Sequence, residues 1–157
     1  ALDVPMVLDG DALWAVAGSF GALSARTTPA VLTPHDGEFE TLTGARPGPD
    51  RIDAARSLAA QSGSVVLLKG PATVVAAPDG RVLVTNTGDA RLGTAGTGDV
   101  LAGVIGALLA QGLQPFHAAA VGSWLHGQAA SLCSEHGMVA SDLLLALPEV
   151  FRATHLG

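Results

Sequence analysis

The chain is short of aromatic residues, charged residues and cysteine, and each shortage excludes a class of protein. Aromatic side chains make up 4% of its 157 residues, tyrosine is absent, and charged residues account for only 14%. Eight lysines and arginines stand against fourteen acids, which gives a net charge of −6. No basic cluster could neutralise a nucleic-acid backbone, so we expect no nucleic-acid partner. Any phosphate bound here should belong to a small ligand.

Long apolar runs and paired cysteines are missing as well. The longest apolar run, at 100–110, is interrupted by Gly103 and Gly106, and a membrane span needs roughly 20 residues. We therefore expect no membrane partner. The single Cys133 excludes an internal disulfide and favours a reduced, cytoplasmic setting. The N-terminus has no basic segment ahead of an apolar core, so no targeting peptide is predicted.

Hydrophobic residues are abundant, at 48%, and they form short β-rich runs that alternate with helical patterns. Strands are predicted at 6–8, 30–32 and 64–68, and a hairpin at 73–85 around the turn Pro78-Asp79-Gly80. Helices are predicted at 12–17, 36–42, 51–61, 100–111, 115–135 and 141–152. Asp9 or Asp11, Asp36 and Ser141 are the expected caps of the first, second and last of these. The alternation predicts one α/β domain with a mostly parallel sheet and an added antiparallel hairpin.

The most informative segment is a glycine-rich loop, residues 86–98, that ends in Asp99 and leads into an apolar helix. Successive glycines leave backbone N–H groups free to bind an anion, and the start of the helix adds its positive dipole end. Asp99 is then a general base or an acid near a metal, beside a bound phosphate. The alternative is that Asp99 only caps the helix, although four glycines ahead of it make this simple role less favoured.

Three polar residues each follow a predicted strand directly: Asp9, His35 and Lys69. Ligands collect at the carboxyl ends of strands in open α/β sheets, so this shared placement predicts a site. Lys69 could meet a phosphate, with the alternative of a solvated turn lysine. His35 could orient a substrate while Glu38 accepts its hydrogen bonds. His126 is interpreted as a core or capping residue, and since no metal-ligand spacing occurs, any metal should be Mg²⁺ carried with nucleotide phosphates.

Four motifs, in this order, resemble those of the ADP-dependent (S)-NAD(P)H-hydrate dehydratases: residues 8–13, 32–39, 68–74 and 93–103. His126-Gly127 and residues 140–143 agree with the same family. The resemblance implies a ribokinase-like three-layer α/β/α fold. It also implies that the S-epimer of hydrated NADH or NADPH is dehydrated with ADP, giving AMP and phosphate. The hydrate hydroxyl would be phosphorylated and then eliminated.

The resemblance also implies roles for individual residues. Asp99 would be catalytic, and the substrate would contact Asp9, His35, Glu38 and Asp99. The nucleotide would be held by Lys69, Gly70, Pro71, Ala72, Thr73, Asn86, Gly96, Thr97 and Gly98. ADP is the implied co-substrate and Mg²⁺ the implied ion, with a homo-oligomer and an NAD(P)H-hydrate epimerase as partners.

The chain departs from the family in three ways. Gly10 and Trp14 stand where the family usually has Ala and Asn, and Thr94-Ala95 precedes Gly96 where many members have a further glycine. Family domains also carry further strands and helices ahead of the segment at Pro5. Residues 1–157 are therefore expected to be the C-terminal portion of a single ribokinase-like hydrate dehydratase domain, with the N-terminal part of the fold missing. Two alternatives stay open: a ribokinase-like kinase that phosphorylates a vitamin precursor or sugar with ATP, and a non-catalytic nucleotide-binding fragment.

Overall fold

A computed structural model describes residues 4–154, so the ends of the predicted domain, 1–3 and 155–157, lie outside the described residues. Five strands form one sheet in the order β1-β2-β3-β4-β5: Val7–Leu8, Val31–Leu32, Val65–Leu68, Thr73–Ala76 and Val82–Thr85. The first three are parallel, whereas β4 is antiparallel to β3 and β5 to β4. Four of the five strands therefore run in one direction. The predicted mostly parallel sheet and its hairpin are confirmed.

Seven α-helices and one 3-10 helix, at Ala90–Gly93, accompany the sheet in the described part of the chain. The α-helices are α1 Asp11–Val16, α2 Gly21–Ser24, α3 Asp36–Thr43, α4 Arg51–Ser62, α5 Thr97–Ala110, α6 Pro115–Leu132 and α7 Ala140–Thr154. The short α2 and the 3-10 helix were not predicted, because one turn is too short to show a helical period. Helix α5 begins three residues earlier than predicted. Between residues 4 and 154, no helix has both the length and the apolarity to cross a membrane.

The sheet separates two hydrophobic cores because successive side chains of a strand point to opposite faces. In β3, Val65 and Leu67 pack in the core formed with α5, α6 and α7. Val66 and Leu68 pack in the core on the other face, with residues of α1, α2, α3 and α4. All four side chains are at most 2% exposed. Helices on both faces of one sheet confirm the predicted three-layer α/β/α architecture.

The predicted helix caps are wrong at three helices. The residue before α1 is Gly10, with φ 53°, and neither Asp9 nor Asp11 caps it through its side chain. Helix α3 is preceded by His35, and Asp36 is already its first residue. At α7 the first helical residue is Ala140, so Ser141 lies inside the helix, and the Asp142 carboxylate accepts a hydrogen bond from the Val139 N–H just before it. Asp9 and Asp36 are instead used in ion pairs at the functional site.

Helix α6 approaches the loop after β5 so closely that only glycine fits at the contact. A Cβ built on Gly127 would lie 2.4 Å from Thr87 Oγ1 and 2.5 and 2.6 Å from the Thr87 carbonyl carbon and oxygen. One built on Gly88 would lie 3.2 Å from the Gly127 Cα. Three of these neighbours are backbone atoms, which cannot rotate away. The pair Gly127 and Gly88 therefore fixes the position of the glycine-rich loop on α6.

We predict that Gly127→Ala destabilises the protein by about 2 kcal/mol, because overpacking against backbone outweighs the better helix propensity of alanine. Gly103→Ala is the matched control. It also lies inside a helix, and its added Cβ meets no atom within 4 Å, so it should leave stability unchanged or raise it by up to about 1 kcal/mol. Urea unfolding of both variants measures the difference. Equal stabilities of the two variants would contradict the close contact.

Candidate functional site

A cleft of about 820 Å³ opens where β2, β3 and β5 end. Three segments supply most of its wall: the turn between β3 and β4, the loop after β5, and the first residues of α5. Its lining includes His35, Gly37, Lys69, Thr87 and Gly98. His35 and Lys69, which lie far apart in the sequence at the ends of two strands, thus share one cavity with the glycine-rich loop. The cavity is large enough for a drug-sized or nucleotide-sized ligand.

The glycine-rich loop is held in one conformation by Arg91 and Thr97. The Arg91 guanidinium donates to the carbonyl oxygens of Cys133 and Ser134, at 2.9 and 3.1 Å, and pairs with Asp89 at 2.7 Å. Hydrogen bonds from Arg91 lower the pKa of Asp89 to about 2. The Thr97 hydroxyl lies 2.6 Å from the carbonyl oxygen of Leu92. These contacts tie the loop to the end of α6 and to the start of α5.

The start of α5 offers unpaired backbone donors. Gly96 precedes the helix with φ 87°, which turns the loop into the first helical residue, Thr97. The Thr97 and Val100 N–H groups bond back to Thr94 and Gly96. The N–H groups of Gly98 and Asp99 have no partner within residues 4–154. Free N–H groups at the positive end of a 14-residue helix favour an anion at this point.

Lys69 is shared by two carboxylates beside the start of α5. Its Nζ lies 2.9 Å from Asp9 Oδ1 and 3.5 Å from Glu38 Oε2. The Thr33 hydroxyl donates to the same Asp9 oxygen at 2.7 Å. A Cβ on Gly98 would lie 3.5 Å from both Asp9 Oδ2 and Lys69 Nζ, so this acid–lysine cluster of Asp9, Glu38 and Lys69 lies next to the free N–H groups.

His35 caps α3 with its own ring. Its Nδ1 accepts hydrogen bonds from the N–H groups of Gly37 and Glu38 at 3.0 and 3.2 Å, while the Glu38 carboxylate accepts from the His35 N–H at 2.8 Å. Because Nδ1 is an acceptor, the proton of the neutral ring must be on Nε2. The side chain is 60% exposed and borders the cleft. His35 therefore starts the helix through Nδ1, while its Nε2 lies 3.6 Å from Glu38 Oε1 at the border of the cleft.

Sequence reasoning missed Arg51, which fixes the turn between β3 and β4. Its guanidinium donates to Asp36 Oδ1 at 2.8 Å and to the Lys69 carbonyl at 2.7 Å. A Cβ on Gly70 would lie 2.4 Å from Arg51 Nη2, so Gly70 leaves the space that the guanidinium fills. An arginine at the start of an amphipathic helix carries no sequence signal for this role.

His126 was interpreted as a core or capping residue, yet it borders the cleft. The residue is 5% exposed, and its Nε2 has no hydrogen-bond partner within residues 4–154. Burial lowers the pKa of His126 to about 4, and the charge of Lys69 acts in the same direction, against a raising effect of the Thr97 carbonyl. The ring is therefore neutral at physiological pH.

The predicted site residues fall into two groups. Those that line the cleft are His35, Lys69, Gly70, Pro71, Thr73, Thr97 and Gly98. Those that lie beside it without lining it are Asp9, Glu38, Ala72, Asn86, Gly96 and Asp99. Asp99 is the third residue of α5, exposed, and its carboxylate has no partner among the described side chains, so it does not cap the helix. The binding and catalytic roles of both groups stay predictions.

The described part of the chain holds no group of three or more histidine, cysteine, aspartate or glutamate side chains that could hold a metal ion. Nucleotide phosphates can themselves supply ligands to Mg²⁺.

The comparisons with known proteins agree on one family. A family model described as NAD(P)H-hydrate dehydratase matches residues 1–150. The chain is 45% identical to the bifunctional NAD(P)H-hydrate repair enzyme Nnr of Moorella thermoacetica, over 96% of this chain and 30% of that protein. It is 44% identical to the ADP-dependent (S)-NAD(P)H-hydrate dehydratase of Neisseria meningitidis serogroup B, over 90% of this chain and 50% of that protein.

Solved structures agree with these relatives. The ADP/ATP-dependent NAD(P)H-hydrate dehydratase of Bacillus subtilis, co-crystallised with ATP and Mg²⁺, matches 96% of this chain and 55% of its own with a TM-score of 0.86 at 37% identity. A ribokinase-like superfamily protein of Enterococcus faecalis matches 94% of this chain and 52% of its own with a TM-score of 0.78 at 25% identity. The predicted ribokinase-like fold is confirmed. The chain spans about half the length, or less, of these relatives.

We predict that Lys69→Met costs about 2 kcal/mol of stability, because it leaves Asp9 and Glu38 facing each other with no cation between them. Their side chains are only 17% and 11% exposed. Arg46→Met is the control, since Arg46 pairs with Glu40 at 3.0 Å on the open surface, and it should cost less than about 1 kcal/mol. Urea unfolding compares the two. If Lys69→Met loses no more unfolding free energy than Arg46→Met, the acid–lysine cluster does not stabilise the protein.

We predict that the free energy of unfolding falls as the pH drops from about 6.5 to about 4. In the unfolded chain His126 has a pKa of 6.5, and in the folded chain its pKa is about 4. Between these two pH values the unfolded chain binds one more proton, so a falling pH favours unfolding. The loss amounts to about 3 kcal/mol. Asp89 affects the free energy of unfolding only below this pH window, because its pKa is lowered from 3.8 to about 2.

Urea unfolding at about pH 7 and about pH 4.5 measures this loss, and His126→Leu should remove most of it. An identical pH dependence in the wild type and the variant would contradict the lowered pKa of His126.

Proposed function

Because this chain belongs to the NAD(P)H-hydrate dehydratase family, we propose that the polypeptide containing it dehydrates the S-epimer of hydrated NADH or NADPH. ADP drives the reaction and leaves as AMP and phosphate. The observation that carries the proposal is the cleft itself, where the free N–H groups of Gly98 and Asp99 lie beside the acid–lysine cluster. The Neisseria and Bacillus relatives, both NAD(P)H-hydrate dehydratases that depend on ADP or ATP, support the substrate and the nucleotide.

The nucleotide has a clear chemical use, because hydroxide is a poor leaving group and phosphate a good one. In the first step the hydrate hydroxyl oxygen attacks the β-phosphorus of ADP, an O–P bond forms, and the bond to AMP breaks. The hydroxyl proton passes to the Asp99 carboxylate. In the second step phosphate leaves with the electrons of the C–O bond. A proton passes from the neighbouring carbon to water, and the electrons of that C–H bond restore the ring double bond.

On the nucleotide side, backbone groups do most of the binding. The Lys69–Thr73 turn, Asn86 and the Gly96–Gly98 segment surround the phosphates in the proposal. The free N–H groups at the start of α5 stabilise charge on the transferred phosphoryl group. Lys69 has three N–H donors, and one of them bonds to Asp9 at 2.9 Å while Glu38 lies at ion-pair distance, so a donor is available for a phosphate oxygen. Mg²⁺, when bound with the nucleotide, neutralises phosphate charge.

On the substrate side, His35 donates through Nε2 and Asp99 takes the hydroxyl proton. Asp9 and Glu38 contact the hydrate from the acid–lysine cluster, and their ion pairs also hold Lys69 in place. The exposed, unpaired carboxylate of Asp99 supports this role, because a base must be free to accept a proton.

We further propose that the complete protein acts in the cytoplasm as a homo-oligomer. Its functional partner is an NAD(P)H-hydrate epimerase, which supplies the S-epimer. The Moorella relative is a bifunctional repair enzyme, which supports a second repair activity close by.

We predict that Asp99→Asn lowers kcat of the complete polypeptide by about 100-fold or more, the contribution of a general base. Asp53→Asn is the matched control, since Asp53 is likewise the exposed third residue of a helix, α4, and should keep full activity. Recovery of nicotinamide absorbance from hydrated NADPH and ADP measures the rate.

Unchanged activity of Asp99→Asn would exclude the proposed base. A wild-type protein that ignores the hydrate and transfers phosphate from ATP to a sugar or vitamin precursor would be a kinase instead. ADP binding without any turnover would identify a non-catalytic nucleotide-binding protein.

A further inference from the structure

The glycine-rich loop carries an arginine that is not part of the cleft wall. Asp89, Ala90, Leu92 and Gly93 line the cleft on either side of Arg91 in the sequence, whereas Arg91 itself does not. Its side chain is only 21% exposed, because its guanidinium is engaged with other parts of the chain. Arg91 therefore affects the cleft through the loop that it holds.

The local part of these contacts occurs twice in the chain. Asp89 accepts hydrogen bonds from the backbone N–H and the Nε of Arg91, both at 2.9 Å. Asp79 accepts the same two bonds from Arg81, at 3.1 and 2.8 Å. In both pairs Nη2 lies 2.7 Å from the carboxylate. Arg81 also packs over the Phe116 ring and does not line the cleft, so the chain contains the same ion pair outside the site.

The two arginines differ in what the rest of the guanidinium contacts. Nη1 of Arg91 donates to the carbonyl oxygens of Cys133 and Ser134 at 2.9 and 3.1 Å, 42 and 43 residues further along the chain. Helix α6 ends at Leu132. Carbonyl groups at a helix C-terminus lack partners within the helix and lie at the negative end of its dipole, so they favour a cation. One side chain thus joins the cleft-lining Asp89 to the end of α6.

The glycine-rich loop has little regular structure of its own. A single turn of 3-10 helix, at Ala90–Gly93, lies between β5 and α5. Gly88 and Gly96 have φ of 88° and 87°, a region that glycine adopts readily. Each residue that a ligand must order on binding lowers its affinity, whereas a loop that is ordered beforehand avoids that loss. Bonds that hold the loop before the ligand arrives therefore raise the affinity.

We propose that Arg91 is a positioning residue for nucleotide binding. Its hydrogen bonds to the end of α6 hold the glycine-rich loop in the conformation that binds the phosphates of a nucleoside diphosphate, and Arg91 itself does not touch the ligand. That this ligand is ADP rests on the proposed function. Arg91 then sets the affinity for ADP but not the rate of the chemical step, because bound ADP can order the loop in its place.

The test compares Arg91→Met with Arg81→Met in the complete polypeptide. Both substitutions remove a local ion pair, but only the first removes the bonds to α6. Calorimetry measures the affinities for ADP and pyrophosphate, and hydrogen exchange measures the protection of amides 86–98 without ligand. We expect Arg91→Met to bind both ligands about 10-fold more weakly, with a matching rise in KM for ADP and kcat within about two-fold. Its loop amides should exchange faster, while Arg81→Met should match the wild type throughout.

Two further variants separate position from charge. Asp89→Asn combined with Arg91→Met removes both charges, and it should bind ADP as weakly as Arg91→Met because the contact with α6 is still missing. Arg91→Lys keeps the charge but lacks the planar fork that reaches Asp89 and α6 together. It should also bind ADP more weakly, and it decides the question if Arg91→Met does not fold. Wild-type ADP affinity in either variant would assign Arg91 a purely electrostatic role and overturn the inference.

Stability and kinetics separate positioning from other roles. A lower Tm of Arg91→Met with unchanged ADP affinity would make Arg91 purely structural, and a fall in kcat with an unchanged KM would place it in the chemical step. Both outcomes overturn the inference. If the wild type itself binds no ADP, the proposed function fails. If the wild type and Arg91→Met bind ADP equally, only this inference fails.

Discussion

The ammonium of Lys69 is the interaction on which the arrangement of the cleft depends. Lys69 follows β3, and its ammonium forms ion pairs with Asp9, which follows β1, and with Glu38 in α3. These ion pairs fix three strand-end segments relative to one another. The three charged side chains are only 11–22% exposed, so removing them from water costs desolvation free energy. Their mutual ion pairs offset that cost. Arg51 continues the network from the Lys69 carbonyl to Asp36. The walls of the cleft are therefore set by charge pairing on one side and by close backbone packing on the other.

The two sides of the cleft have opposite electrostatic character. The start of α5 presents unpaired N–H groups, whereas the acid–lysine cluster carries two carboxylates for one ammonium. An anionic group would fit the side with the unpaired N–H groups, and a neutral polar group would fit the side with the carboxylates. This division matches a chemistry in which one molecule donates phosphate and another presents a hydroxyl group.

Sequence patterns predicted most of the fold but less of the site. Strand-then-helix periodicity predicted the sheet and its hairpin, because β-branched runs and turn residues act locally. The glycine-rich loop and the strand-end positions of Asp9, His35 and Lys69 predicted where the cleft lies. Side-chain partners were predicted poorly: Lys69 was expected to be free for phosphate, and Asp36 was expected to cap α3. Arg51 and the unpaired nitrogen of His126 depend on contacts between distant segments, which no local pattern encodes.

The contact between Gly127 and Thr87 has a consequence for the order of events during synthesis. Forty residues separate these partners, and the loop is also tied to Cys133 and Ser134 at the end of α6. A growing chain that has completed the sheet still lacks the surface against which its glycine-rich loop rests. The loop conformation that lines the cleft therefore depends on contacts that can form only after the α6 segment has left the ribosome.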